Sequence, residues 1–305
     1  RSIRMTVPYG KGWLSVDDQI ELLALRGLLI DDEDGAREFF SHVNYHRFDN
    51  YCRAFESSRH IFFPGTSFTE VVALYDFDGS LRELLSRAIR VFEIDLRTIL
   101  ASAWGEHHGA FGHRIGANFF RTFAHADWLA ELQGETIRSR EFFIKHYRET
   151  YDEFPDLPIW MAVEIMPMRW LSAMFAGMKA GDQKPLIERY EVSPVLFASW
   201  LHHLTYVYNL TTHHARIWDR LWSVSPKLPR SFDWMPPSLP AQNRLFATLL
   251  ILSHLLAHCP RQRAFTSLWR ASIESHIDTM PPITNVPARM GLPGDWKNLP
   301  DCIAP

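Results

Sequence analysis

The sequence predicts an all-α protein, and three observations carry that expectation. Apolar residues recur at steps of three and four, as in Leu81, Leu85, Ala88, Phe92, Leu96 and Ile99, the core stripe of an amphipathic helix. No strand-type alternation stands out over six or more residues. Glycine and proline punctuate the periodic stretches where helices would stop. A hydrophobic content of 47% with 13% aromatics is ample for a packed core and excludes a disordered chain.

Taken in order, Ser15 with Asp18 three residues on reads as a capping box before Ile20, Leu22, Leu23 and Leu25, and Gly27 is a natural stop. Acidic residues from Asp31 to Asp34 open a second short helix with Ala36, Phe39, Phe40 and Val43. The chain then turns aromatic at Tyr45, His46, Arg47, Phe48 and Tyr51, a cluster expected in the core, with stacking against bases or gripping a partner as the alternatives, and one short hairpin fits Phe55 to Phe63. This is the small helical N-terminal subdomain, residues 1–64. After the Pro64-Gly65 turn, Thr66 or Ser67 can cap a long helix running to about Trp104, with a break expected near Gly79. His107 to Gly116 reads as a loop. Asp127 to Tyr151 reads as one charged helix, ended by Pro155 and Pro158. Ile159 to Met178 reads as a buried helix interrupted at Pro167.

Pro194 to Leu221 reads as a single long helix. Prolines between Ser225 and Pro240 follow it, then helices from about Asn243 to His258 and Phe265 to His276. Residues 65–280 thus form the main helical domain, and 281–305 a proline-rich, extended C-terminal tail.

A formal charge of -3 and a pI near 6.6 argue against a protein bathed in positive potential, so a nucleic-acid partner must be met by a local basic surface. Cys52, Cys259 and Cys302 show neither disulfide nor zinc-site spacing, which points to a reducing cytoplasm. The longest apolar run, Leu245 to Leu256, is too short to span a bilayer, and no signal pattern opens the sequence. A cytoplasmic protein with no membrane partner, no metal and no small-molecule cofactor is expected.

On the wheel of the 194–221 helix, Trp200, Leu204, Val207, Leu210, Trp218 and Leu221 share an apolar side. Opposite them, His202, Asn209, His213, Arg216 and Arg220 fall within a sector of roughly 60°. Imidazole, amide and guanidinium groups suit phosphate handling, whereas a solvated ridge would carry Lys and Glu. An exposed face or a dimer contact is the alternative. His214 points to the apolar side and reads as a core histidine. The doublets His107-His108, His202-His203 and His213-His214 do not make a metal site, because neighbours on a helix project about 100° apart. Arg90, Glu93 and Arg97 share another face and read as a solvated ridge with an internal ion pair.

The segment from Tyr208 to Arg220 resembles the signature of the Abi-like (AbiD/AbiF type) abortive-infection proteins, which belong to the HEPN superfamily. Gly65 to Phe68, Leu74 to Asp78, Glu93 to Arg97, Leu157 to Trp160 and Met290 to Trp296 agree with that family in order. The resemblance implies a bacterial phage-defence protein, an HEPN-like helical bundle that is commonly a homodimer, and metal-independent cleavage of RNA. Its motif is Arg-Asn-x-x-x-His. Asn209 and His213 match the Asn and the catalytic His, Arg216 and Arg220 match downstream basic positions, and Tyr208 stands where the family has arginine. Arg97 and His202 complete the expected RNA contacts.

In such a reaction the ribose 2′-OH attacks the adjacent phosphorus, so a base must take its proton and cations must steady the phosphorane. Losing one transition-state donor commonly costs on the order of 10²–10³ in rate. Three explanations fit Tyr208: an attenuated or dead nuclease that still binds RNA, a substitution that lets a toxic enzyme be produced, or a site in which Arg216 and Arg220 cover the missing charge. The alternatives are a module that holds a single-stranded or small non-coding RNA without cutting it, and a helical interaction protein.

Overall fold

The computed structural model describes residues 9–10, 12–230, 242–260, 262–283, 285–294 and 296. It holds thirteen α-helices and one two-stranded sheet among them, so the fold is all-α. Two compact units divide the chain, residues 1–79 with 279–284 and residues 80–278 with 285–305.

In the first unit, α1 (Val16–Leu25) opens with the expected capping box: Ser15 Oγ accepts the Asp18 N–H at 3.1 Å and Asp18 Oδ2 accepts the Ser15 N–H at 3.0 Å. Gly27, at φ +93°, supplies the left-handed turn that ends it. Helices α2 (Glu33–His42) and α3 (Tyr45–Cys52) are capped by Asp32 and Asn44. The hairpin lies where expected, β1 (Glu56–Ser58) antiparallel to β2 (Ile61–Phe62). Phe39, Phe40, Phe48 and Phe68 pack edge to face and tilted in the core, and the buried Tyr51 hydroxyl donates to Asp78 Oδ2 at 2.7 Å. Phe48 and Tyr51 of the aromatic cluster are thus structural.

Helix α4 (Phe68–His108) runs unbroken past Gly79, although a break was expected there. One glycine costs about 1 kcal/mol in a helix, and the buried stripe through Leu81, Leu85, Ala88, Phe92 and Leu96 outweighs it. The division between the units passes through this helix, not at residue 64, and residues 279–284 join the first unit.

In the second unit the expected charged helix is two, α5 (His125–Arg138) and α6 (Phe142–Thr150), because Ser139 and Glu141 adopt extended backbone between them. Pro167 separates α7 (Ile159–Ile165) from α8 (Met168–Gly177), as a residue without an N–H should. Then come α9 (Ala180–Ile187) and α10 (Pro194–Thr212), the latter capped by Ser193 with Pro194 in its first turn. Helices α11 (Leu245–Ala257), α12 (Arg263–Asp278) and α13 (Val286–Met290) complete the series. Part of the expected extended tail is therefore helical, and the remainder from residue 297 lies outside the described residues, as do 231–241 of the proline-rich break.

Helix α10 is the centre of this unit. It packs on α8 and α9, burying Phe197, Trp200, Leu201, Leu204 and Val207, and the Phe197 ring meets Phe175, Phe92 and Tyr190. His203 is a satisfied core histidine. Its Nδ1–H donates to the Val224 carbonyl at 2.7 Å and its Nε2 accepts from the Thr248 hydroxyl at 2.9 Å. Helix α11 is apolar on nearly every face and buried accordingly. No helix among the described residues is long and apolar enough to cross a membrane.

Candidate nucleic-acid interface at the end of helix α10

Sequence reading carries α10 on to Leu221, but the helix stops at Thr212. The Thr211 and Thr212 hydroxyls donate to the carbonyls of Tyr208 and Asn209 at 2.8 and 3.0 Å, tying up the last turn. His213 is the C-cap, and His214 takes a left-handed conformation at φ +53°. The Ala215 N–H then donates to the Leu210 carbonyl at 2.9 Å and the His214 N–H to the Thr211 carbonyl at 3.1 Å. These are the two bonds of a Schellman motif, with histidine where glycine is usual. Two expectations change. The five-residue ridge is split, with His202, Asn209 and the capping His213 on the helix and Arg216 and Arg220 on the segment after it. His214 is exposed at the turn instead of buried with Leu210 and Trp218.

Beyond the turn, Ile217 and Trp218 are fully buried and anchor the segment. Around them the arginines converge. Arg216 Nε lies 3.2 Å from Asp219 Oδ1, and Arg220 Nη1 donates to the Arg216 carbonyl at 3.1 Å. Arg244, just before α11, donates from Nη1 to the carbonyls of Asp219 at 2.8 Å and Arg289 at 3.1 Å. Arg289 of α13 lies over the Trp218 ring, with its Nη1 3.7 Å from Asp219 Oδ2. Arg82 of α4 reaches the Ala215 carbonyl at 3.5 Å. Sequence reasoning missed Arg82, Arg244 and Arg289, which arrive from three distant elements. The block opening at Met290, one residue after Arg289, was the one signal that pointed there.

His213 and Asn209 are exposed at the end of α10, three and seven residues before Arg216, and their side chains have no hydrogen-bond partner among the described residues. Tyr208 is half-buried. An open imidazole and an amide next to arginines that share one carboxylate can accept a proton and hold phosphate oxygens. The other two expected contacts lie elsewhere. His202, two helical turns before Asn209, opens onto a groove between α8 and α10. Arg97 is ion-paired with Glu93 and donates to the Val163 carbonyl, and both side chains are largely buried, so this pair is structural and not a solvated ridge.

As for metals, Asp49, Glu56 and His60 in the first unit place possible ligand atoms within 4.8 Å of one another. Guanidinium groups already address that cluster: Arg59 Nε donates to His60 Nε2 at 3.2 Å, and Arg26 lies 3.8 Å from Asp49. None of the three belongs to the α10 site.

Comparison with curated proteins and with solved structures yields no match. The family model described as Abi-like protein matches residues 38–219, from within α2 to Asp219. That span covers more than half of the chain and includes Asn209, His213 and Arg216, while Arg244 and Arg289 lie beyond it. The chain therefore belongs to the Abi-like protein family.

Proposed function

We propose that this chain is an HEPN-type abortive-infection protein that binds RNA at the end of α10 and cleaves it, slowly, without a metal. The observation that carries the reading is that exposed His213 and Asn209 end α10 and are followed directly by the segment of Arg216 and Arg220, onto which Arg244 and Arg289 converge from other elements. In this mechanism His213 takes the proton from the ribose 2′-OH as its oxygen attacks phosphorus. Asn209 and the arginines hold the phosphate oxygens, and the P–O5′ bond breaks, the departing O5′ taking a proton from water, to give a 2′,3′-cyclic phosphate. Tyr208 offers a phenol where the family motif offers a charge, which is the reason for the slow rate. A homodimer would set two such ends against one strand.

A second reading is a non-cleaving RNA-binding protein, favoured by Tyr208 and by the Asp219 carboxylate that already engages Arg216. Incubation with single-stranded RNA in excess chelator separates the two. The first reading predicts products with 2′,3′-cyclic ends that disappear in His213→Ala; the second predicts salt-sensitive binding without products.

A further inference from the structure

The groove onto which His202 opens is a separate feature of the second unit. Its walls are one face of α8, carrying Ser172, Ala173 and Ala176, and one face of α10, carrying Ala198 and Ser199. Small side chains on both facing helices leave a cleft of about 870 Å³, inside the range of about 300–1,000 Å³ typical of small-ligand sites. Its charge has one sign. Arg169, His202 and Lys227 line it, and no acidic residue does so among the described residues.

The fold fixes the backbone at two of the lining positions. The Lys227 N–H donates to Ser199 Oγ at 2.9 Å and its carbonyl accepts the Trp200 Nε1–H at 2.7 Å, which pins the lysine backbone along α10. The Phe120 N–H donates to the Gly177 carbonyl at 2.8 Å, and its ring lines the groove while remaining 44% exposed. Among the described residues Arg169 carries one ion pair, to Glu131 at 3.6 Å, in which both side chains are well exposed and which is therefore weak, and its guanidinium lies over the Trp170 ring.

An apolar cleft with an open aromatic ring and three cationic or protonatable groups matches one nucleotide: a flat base for Phe120 and phosphates for the rim. A helix from another protein would fill the small-residue walls but leave the rim charges without partners. We infer that the α8–α10 groove binds a nucleotide of single-stranded RNA, with the base against Phe120 and its phosphates held by Arg169, His202 and Lys227. The inference rests on the RNA reading above. His202 lies on the same face as Asn209, about 10 Å away along the helix, so the groove would hold a neighbouring nucleotide of the strand whose phosphate sits at His213.

The test uses the full chain carrying His213→Ala, so that RNA stays intact, with a fluorescent 12-nucleotide single strand containing 4-thiouridine. The groove is filled by Ala198→Trp and its ring removed by Phe120→Ala, with thermal melting of each variant to verify folding. Expected results are photo-crosslinks in the peptide containing Phe120 and affinity lowered on the order of tenfold by Phe120→Ala, with Ala198→Trp at least as severe. RNA binding that neither variant changes, with crosslinks elsewhere, overturns the groove assignment and leaves the α10 reading standing. Absence of RNA binding by every form overturns both. Binding of uridine 5′-monophosphate that the oligonucleotide does not displace, or a change of molar mass with Ala198→Trp at unchanged RNA affinity, also overturns it, in favour of a free small ligand or a contact between two copies.

Discussion

Arg216 Nε lies 3.2 Å from Asp219 Oδ1, so the guanidinium three residues beyond His213 carries its own counter-ion within the chain. The same carboxylate faces Arg289 at 3.7 Å. In the proposed RNA complex, phosphate would compete with Asp219 for both arginines. Converting Asp219→Asn keeps the shape and removes the competitor. A partly exposed pair of this kind is worth up to about 1 kcal/mol, so single-stranded RNA should bind up to roughly fivefold more tightly at low salt, with a steeper salt dependence. Fluorescence anisotropy at several salt concentrations measures both, and weaker binding by Asp219→Asn would place the phosphate elsewhere.

Neutralising Arg244 or Arg289 should weaken RNA binding to a similar degree for every sequence tested and lower the salt slope by about one unit each, because phosphate contacts carry no sequence information. A loss confined to particular RNA sequences would contradict this assignment.

His214 occupies a left-handed position that favours glycine. Substitution by Gly and by Val removes the imidazole's contacts equally, so their difference isolates the backbone. His214→Val should unfold more easily than His214→Gly by roughly 1–2 kcal/mol. Chemical denaturation of the pair measures it, and equal stabilities would mean that the turn does not hold His214 at positive φ.

Two buried histidines set an acid limit on stability. Burial pushes His203 and His113 down to about 4, against the weaker upward pull of the Val224 carbonyl on His203 and of Asp156 on His113. In the unfolded chain both titrate near 6.5. Above that value the neutral form prevails in both states and nothing is lost. As pH falls from 6.5 towards 4 the unfolded chain binds protons that the folded chain refuses, and stability falls by on the order of 3 kcal/mol per histidine. Tm should therefore drop steadily across this window, and His203→Gln should flatten part of the slope. An unchanged slope in that variant would remove His203 from the explanation.

Much of the fold is legible in local chemistry. Ser15 and Asp18 announce α1, Pro167 divides α7 from α8, and the stripe from Leu81 to Ile99 marks α4. The end of α10 is not legible, because no glycine marks it and the wheel continues smoothly through Arg216 and Arg220. Only the backbone bonds around His214 reveal the turn. Asn209 and His213 can be found from sequence as neighbours on one face. Arg82, Arg244 and Arg289 cannot, since tertiary packing from α4, α11 and α13 brings them to residues 215–220, and no spacing rule links such distant positions.

The proposed role of His213 is that of a working base at a site short of one charge. The most direct measurement is the initial rate of single-stranded RNA cleavage in excess chelator by the unaltered chain, by Tyr208→Arg and by Tyr208→Arg with His213→Ala. Restoring the missing cation should raise the rate on the order of 10²-fold, with 2′,3′-cyclic phosphate ends, and the added His213→Ala should abolish the gain. No cleavage by Tyr208→Arg, or cleavage that persists without His213, would contradict the account.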